Sequence, residues 1–446
     1  MNILLSFLLA TGLISFQQQT VKPRQGSYAV TNVTIETVSN GTIENGTIVV
    51  RGDRITAVGT DVDIPSDAEV IDGSGLSVYP GLIDSGTRLG LTEIGSVQET
   101  TDTNEIGDIT PQMQALTAIN PNSVLIPVTR VSGVTTVISE PSGGMLPGTA
   151  AMINLVGYTP EQMHAGDVRL LILEFPRKSS GGRRFGQAES GKDDSDARYK
   201  RAMEKLNEVW DRAELYEHIA AAYMADSNVG VRPEYAPEMA AIAPVIRGEM
   251  MLMVKVNAEK DILAAIDWVV SREIDEVVFS GVSEGWRVAD KLADAGISCI
   301  VGPVFSMPTR QTDRYDRAYA NAGLLNDAGV KVAIRSGDAA NVRNLPFNAG
   351  FAAAYGLGKE EALRAVTLTP AEIFGVADDY GSIEVGKKAN FLISDGDPLE
   401  PATQIVGLFI DGFNVPIDSQ HIRLYKEFLN RDEGRIQPIE VIPAVN

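Results

Sequence analysis

The sequence is poor in cysteine and in positive charge, and both shortages narrow its possible functions. Its single cysteine, Cys299, lies in an apolar run, which excludes a disulfide framework and a lipid-modified cysteine behind a signal sequence. Lysine and arginine number 38 against 59 aspartates and glutamates, giving a formal net charge of −21. Such an acidic chain is not expected to bind nucleic acid, because phosphate recognition needs a basic surface, and docking on an anionic membrane is also disfavoured.

Nucleotide-binding patterns and internal membrane spans are missing as well. No G-x-G-x-x-G follows a candidate strand, and no G-x-x-x-x-G-K-[ST] occurs. No segment beyond residues 1–20 is apolar enough to cross a membrane. Residues 1–20 are typical of a signal peptide with a short apolar centre, and a buried N-terminal helix is the alternative. We therefore expect a soluble protein, periplasmic or secreted, with no membrane span after signal removal.

After residues 1–20, the two ends of the chain share one sequence pattern. Residues 27–79 alternate polar and apolar positions in stretches such as "GTIVVRGDRITAVG", and Asn-Gly and Gly-Asp pairs separate these stretches. A similar alternation of polar and apolar positions recurs in residues 380–446. This pattern predicts a small composite β-sandwich domain that is built from both ends of the chain.

Residues 80–379 alternate apolar runs with helical patterns. The candidate strands are "LSVYPGLID", "GVTTVISEP", "AAMINLV", "VRLLILEF", "MLMVKVN", "EVVFSG", "SCIVGPV" and "VKVAIRSG". Near-continuous apolar strands between helices, eight in number, predict an α/β fold of the (β/α)8 TIM-barrel type, and an open doubly wound sheet is the runner-up. Residues 177–198 are rich in Gly, Ser and charge, which predicts a mobile loop, either a lid or a solvated insertion.

Three stretches carry a resemblance to a known family: "VVRGDRITAVG", "AEVIDGSGLSVYPGLID" and "EEALRAVTLTPAEIFGVADDYGSIEVGKKANFLISDGDPLE". On these motifs the chain resembles the amidohydrolase superfamily, most closely its imidazolonepropionase-like branch. The resemblance implies a barrel with a composite β-domain. It also implies hydrolysis of non-peptide C–N bonds, as in cyclic amides, with zinc or another divalent metal as cofactor.

The metal-binding pattern of that family is altered here. The family motif P-G-x-I-D-x-H-x-H places two histidines at the end of the first strand, where this chain has Gly86 and Arg88. Glycine has no ligand atom, and arginine stays protonated and cannot donate a lone pair. Lys255 and Ser280 stand where the fifth and sixth strands of the family carry histidines, whereas Asp338 keeps the acid of the eighth.

The histidines that remain do not replace the missing pair. None of the three lies at the end of a candidate strand in a ligand position, so surface or packing roles are expected for His164, His218 and His421. We therefore expect no bound metal cofactor. An all-carboxylate site for a hard cation is the alternative, with these candidates: Glu93, Asp102, Glu105, Asp108 and Asp338.

Fixed cations are expected at the barrel mouth instead. Arg88, Lys255 and Arg335 map to the same end as Asp338, so we hypothesise that side-chain cations have replaced the charge of the metal. They cannot lower the pKa of a bound water as zinc does. Asp338 and Lys255 are the candidate catalytic residues. The candidate ligand-binding residues are Arg88, Arg335, Glu93, Glu140, Ser280, Asn341 and Arg343.

These observations predict an amidohydrolase-like protein with a degenerate metal site and weak or no metal-dependent activity. It would bind a small molecule, or act as a subunit in a homo-oligomer or in a hetero-oligomer with a related amidohydrolase. Two alternatives stay open. The cations form only a structural ion-pair cluster, or the chain is an active hydrolase with a carboxylate–metal or lysine-based site.

Overall fold

The computed structural model describes residues 23–178, 192–226 and 230–431. The expected signal peptide, residues 1–20, lies outside the described residues, and so do residues 432–446 of the expected composite domain. Most of the expected loop at residues 177–198 also lies outside them. The helix that follows begins at Lys192, so its first turn falls inside the segment for which we expected a loop.

The strands are numbered in chain order. They are β1 Arg24–Gln25, β2 Ser27–Glu36, β3 Thr42–Arg51, β4 Arg54–Gly59, β5 Glu69–Asp72, β6 Ser77–Pro80, β7 Leu82–Thr87, β8 Val134–Ser139, β9 Gly148–Asn154, β10 His164–Glu174, β11 Met251–Val256, β12 Val277–Gly281, β13 Ser298–Val301, β14 Val332–Ile334, β15 Phe391–Ser394, β16 Ile405–Ile410 and β17 Phe413–Asn414.

The helices follow the same numbering. They are α1 Ala115–Ala118, α2 Leu125–Arg130, α3 Pro160–Met163, α4 Lys192–Ala225, α5 Pro237–Ile246, α6 Glu259–Ser271, α7 Ala289–Asp294, α8 Arg317–Asp327, α9 Leu345–Ala352, α10 Lys359–Arg364, α11 Leu368–Ile373 and α12 Gln420–Leu429. Short 3-10 turns occur at Gln98–Thr100, Gly285–Arg287 and Val342–Asn344, and a π-type turn at Ala353–Leu357. Within the described ranges, no helix combines the length and the apolar character that a membrane crossing requires.

Both ends of the described chain contribute to one nine-stranded sheet. Its order is β1-β17-β16-β15-β6-β2-β3-β4, and β5 pairs with β2. The two halves join where β15 pairs antiparallel with β6, so that Phe391 lies opposite Pro80. Phe391 also stacks on Phe409 at 4.6 Å between ring centroids, which places aromatic surface in the core of this sheet.

The remaining eight strands form a nearly closed barrel in the order β7 to β14, at the places where the sequence predicts strands. The seam closes through a hydrogen bond from the Gly337 N–H to the Gly86 carbonyl at 3.0 Å. A second link runs from the Thr87 hydroxyl to the Asp338 carbonyl at 2.8 Å. The α/β barrel prediction is therefore confirmed, and the open doubly wound sheet is not the fold.

One strand departs from the parallel arrangement. β9 pairs antiparallel with both β8 and β10, whereas β10 to β14 are parallel to one another. The reason lies in the connection, because residues 140–147 form a link too short for a helical crossover, which needs about a dozen residues. The barrel is consequently mixed, and β9 enters the mouth with its amino end.

Inside the barrel, an apolar layer lies below a polar one. Side chains that point inward from the strands form a buried cluster that includes Ile83, Ile138, Ile172, Met253, Val278, Ile300 and Ala333. Because side chains on a strand alternate between faces, the residue two positions later points inward again, one layer nearer the mouth. The inward-pointing residues at the strand ends therefore line the floor of the mouth.

Candidate functional site

The floor of the barrel mouth is a layer of polar residues, which we call the mouth layer. Each member follows an inward apolar residue by two positions, and the members are Ser85, Glu140, Glu174, Lys255, Ser280 and Arg335. Parallel pairing sets Glu174 beside Lys255 and Lys255 beside Ser280 on neighbouring strands. The layer contains two carboxylates and two cations, so its formal charges balance.

Glu140 is the centre of the ion pairs in this layer. Arg335 Nη2 lies 2.8 Å from Glu140 Oε1, and Lys255 Nζ lies 3.6 Å from the same oxygen. Lys255 Nζ also lies 2.8 Å from Glu174 Oε1. The side chains of Glu140, Arg335 and Lys255 are only 1%, 9% and 13% exposed. Buried charges of this kind are stable only when they are paired, so the four side chains form one connected network.

The guanidinium of Arg335 occupies the space above Gly86. Arg335 Nη1 donates to Ser280 Oγ at 2.6 Å, and a β-carbon at Gly86 would lie 3.1 Å from that same Nη1. A side chain larger than a hydrogen at position 86 would therefore push against the guanidinium. The absence of a side chain at Gly86 therefore leaves the space that the guanidinium of Arg335 fills.

Asp84 is a buried acid beside the layer. Its Oδ1 accepts hydrogen bonds from the N–H groups of Gly86 and Ser336, both at 3.1 Å, and these bonds tie β7 to the chain after β14. Burial raises the pKa of Asp84 to about 6, although these hydrogen bonds and the charge of Arg335 act in the opposite direction. Within the described part of the chain, Asp84 Oδ2, Arg335 Nε and Ser85 Oγ are buried without a hydrogen-bond partner.

Four of the residues singled out from the sequence meet in the mouth layer. They are Glu140, Lys255, Ser280 and Arg335. Sequence reasoning did not select Glu174 or Asp84 as site residues. Counting two positions beyond the last inward apolar residue of β10 would have found Glu174, because that count places it in the same row as Lys255.

Asp338 is not the partner of the cations, contrary to our expectation. Its carboxylate accepts from the backbone N–H groups of Ala340 and Asn341 at 2.8 and 2.9 Å and from Asn341 Nδ2 at 2.6 Å. Gly337, with φ of +85°, turns the chain away from the strand path, so that Asp338 caps its own loop. Glu140 takes the role that we expected for Asp338.

The other expected ligand-binding residues lie outside the mouth layer. Arg88 and Arg343 are exposed, and neither side chain forms a hydrogen bond or an ion pair within the described ranges. Glu93 accepts from Asn120 Nδ2 at 3.1 Å, and exposed Asn341 is occupied with Asp338. Their selection as ligand-binding residues remains a prediction.

The acidic loop and the histidines do not assemble a metal site among the residues that the structure describes. No group of three histidine, cysteine, aspartate or glutamate side chains is placed to hold an ion there. Asp108, one of the carboxylates considered for a hard cation, instead accepts from Met145 N–H at 2.8 Å and from Lys205 Nζ at 2.6 Å. His164 begins β10, while His218 and His421 lie on α4 and α12.

Residues 287–415 match the model of the amidohydrolase family. Among curated proteins, amidohydrolase tasK of Hapsidospora irregularis is 24% identical over 416 residues, which cover 86% of this chain and 41% of tasK. The chain thus spans less than half of the length of that relative. An imidazolonepropionase of Geobacillus sp. (strain WCH70) is 24% identical over 392 residues, which cover 79% of this chain and 84% of the relative.

Solved structures resemble the fold over most of the chain. An amidohydrolase from Thermotoga maritima MSB8 superposes with a TM-score of 0.74 at 22% identity, covering 87% of this chain and 99% of that protein. Molinate hydrolase superposes with a TM-score of 0.55 at 15% identity over 94% of this chain and 99% of that protein. At these identities the likeness concerns the barrel and its sheet domain.

Proposed function

We propose that the chain is a ligand-binding member of the amidohydrolase superfamily with weak or no metal-dependent activity, since residues 287–415 match the amidohydrolase family and imidazolonepropionases are among its relatives at low identity. Hydrolysis of C–N bonds other than peptide bonds is its nominal reaction class by descent. The ligand is a small molecule that presents a carboxylate or a carbonyl group to the mouth layer. The observation that carries the proposal is the Arg335–Glu140–Lys255 network.

The mouth layer does not fit a divalent cation. Position 86, where the family motif has a histidine, has no ligand atom, and the Arg335 guanidinium fills the adjacent space. Glu140, the most buried carboxylate of the layer, already has two cationic neighbours, Arg335 and Lys255. A dication beside two fixed cations is repelled by both.

The same layer is suited to binding an anionic or strongly polar group. Arg335 and Lys255 present N–H donors, and charge-assisted hydrogen bonds to a carboxylate are the strongest that side chains form. A cavity beside the layer is lined by Lys255 together with Arg177 and Asn257. A ligand carboxylate entering there would compete with Glu174, the more exposed of the two acids that contact Lys255.

We further propose that the protein is exported and that it assembles with a second copy or with a related amidohydrolase. Export rests on the apolar pattern of residues 1–20, and assembly with a second copy or with a related amidohydrolase rests on the altered metal pattern alone. Fractionation of the producing cells tests export, since intact precursor in the cytoplasm would contradict it. Co-purification with a tagged chain tests assembly, and a monomer without partners would contradict it.

Metal analysis and calorimetry test the central proposal. The purified protein is expected to hold well under one zinc, manganese or iron per chain and to show no hydantoin hydrolysis when these metals are added. Acetate, N-acetylglycine and hydantoin are the binding probes. Lys255→Met should weaken binding of the carboxylates about tenfold, because it removes one charge-assisted bond.

Lys260→Met is the matched control, since this exposed lysine lies on α6 and its loss changes the net charge equally. Stoichiometric metal with metal-dependent turnover would favour the active-hydrolase alternative. If no probe binds the wild type, or if both lysine variants behave alike, the mouth layer is only a structural ion-pair cluster.

A further inference from the structure

A second cavity lies beside the mouth layer, between the ends of β12 and β13 and the start of α8. We call it the Trp286 cavity, and its lining residues are Gly281, Ser283, Trp286, Val301, Gly302, Pro303, Ser306, Met307, Pro308, Thr309, Asp313, Arg317, Ala318 and Asn321. It lies near the mouth layer along two strands, because Gly281 follows Ser280 in β12 and Gly302 packs against the Arg335 carbonyl.

Two arginines stack on the indole of Trp286, and of the two Arg317 lines the cavity. The guanidinium carbons of Arg287 and Arg317 lie 4.1 and 4.8 Å from the centroid of the ring. Arg287 is neutralised by an ion pair with Asp313. The side chain of Arg317 forms no ion pair and no hydrogen bond within the described ranges, and its stacking on the indole holds the guanidinium in place.

The other polar groups of the cavity are already occupied. Asn321 donates to the Val282 carbonyl and accepts from the Trp286 N–H, both at 2.9 Å. Ser306 donates to the Pro303 carbonyl at 2.6 Å.

The remaining hydroxyls of the cavity also have hydrogen-bond partners. Ser283 donates to Asn257 Oδ1 and Thr309 to Glu284 Oε1, each at 2.8 Å. The charge of Glu284 is in turn met by Arg310, whose Nη2 lies 2.7 Å away. Arg317 is therefore the one lining side chain whose charge is not met by another side chain of the described chain.

The size of the cavity limits what can bind. The space open to the centres of water-sized groups is about 40 Å³. One water needs roughly 10 to 15 Å³ on this measure, so the cavity holds about three non-hydrogen atoms. A carboxylate group has three such atoms, whereas a ring does not fit. The remainder of a ligand would have to extend towards the mouth layer.

We propose that the Trp286 cavity is an anion subsite in which Arg317 binds a carboxylate end group of the ligand. The inference rests on the proposed binding function, since the rest of the ligand lies at the mouth layer. It names the substrate class as a small molecule with two polar ends, one a carboxylate at Arg317 and the other a carboxylate or carbonyl near Lys255. Trp286 and the Arg287–Asp313 pair orient Arg317 without contacting the ligand charge.

Titration calorimetry of the full chain with succinate and with neutral succinamide tests this subsite. The wild type should bind succinate about a hundredfold more tightly than succinamide, because Arg317 and Lys255 each gain one charge-assisted bond, and Arg317→Gln should reduce that preference about tenfold. Arg317→Lys should restore part of it, because the charge returns without the planar stacking. Arg314→Gln is the matched control: it removes an equal charge three positions earlier, from an exposed side chain that pairs with Asp316.

The variants separate this inference from the proposed function. A reduced succinate preference in Arg317→Gln but not in Lys255→Met supports a carboxylate site at Arg317 and contradicts the mouth layer as the site of the other end. A reduction in Lys255→Met but not in Arg317→Gln overturns the subsite and leaves the proposed function standing. Equal binding of succinate and succinamide by the wild type, or equal effects of Arg314→Gln and Arg317→Gln, also overturns the subsite.

Discussion

The Arg335 guanidinium packs against Gly86, in the space that a side chain at position 86 would enter. A β-carbon there would approach Nη1 of Arg335 to 3.1 Å, a distance closer than ordinary van der Waals contact. Gly86 and Arg335 come from opposite sides of the barrel seam, and the hydrogen bond from Gly337 to Gly86 holds them in register. This contact leaves room for the positive charge of Arg335 at the floor of the mouth.

Gly86→Ala should displace Arg335 and weaken its bond to Ser280 and its ion pair with Glu140. We expect a loss of about 1 to 3 kcal/mol in the free energy of unfolding, the usual cost of adding a methyl group to a packed interior. Denaturant titration measures it. Gly95→Ala is the control, because nothing lies within 4 Å of the added methyl there. Equal stability of the two variants would contradict the contact.

Glu140→Gln should destabilise the barrel strongly. It leaves Arg335 and Lys255 without their shared counter-charge in a site that is almost closed to water, and breaking a buried ion pair costs about 3 to 5 kcal/mol. The comparison variant is Asp67→Asn, which breaks an exposed pair with Arg51 and should cost less than about 1 kcal/mol. Denaturation by urea checks both values, and similar losses would mean that the network is not a buried one.

Asp84 should make the stability depend on pH in the mildly acidic range. Its pKa rises from 3.8 to about 6 on folding, so between those values the folded state binds more protons than the unfolded state. The free energy of unfolding should therefore fall as the pH rises from 4 to 6, by about 2 kcal/mol over that interval.

Asp84→Asn should remove that slope, because the amide stays neutral while its oxygen still accepts from Gly86 and Ser336. Unfolding titrations of both proteins at pH 4, 5, 6 and 7 provide the comparison. The general charge repulsion of an acidic chain affects both proteins alike and cancels in the difference. Parallel curves would show that Asp84 is ionised throughout this range.

Cys299 should react with thiol reagents only when the barrel opens. The thiol is fully buried in β13, and burial raises its pKa, which suppresses the reactive thiolate. Labelling with a disulfide reagent at pH 8 should be negligible in the native protein and complete in denaturant. Rapid labelling under native conditions would mean that this part of the barrel opens readily.

The sequence predicted the eight strands and their order because each strand is a short apolar run between turn residues. It did not predict that β9 runs antiparallel, although the short connection at residues 140–147 contained that information. Lys255, Ser280 and Arg335 lie at the mouth, where the strand pattern placed them, and their catalytic or ligand-binding roles remain predictions. Asp338 was assigned a partner that it does not have, because the turn at Gly337 cannot be read from strand periodicity.

The residues that face the barrel interior were determined by the sequence alone, since the period of two along each strand fixes which side chains share a face. The partner of each charge was decided only by the tertiary structure. Glu140 and Arg335 are 195 positions apart, and they meet because the barrel closes on itself. Local patterns specify the direction of a side chain, whereas closure of the barrel brings distant side chains within the short range over which buried charges bind one another.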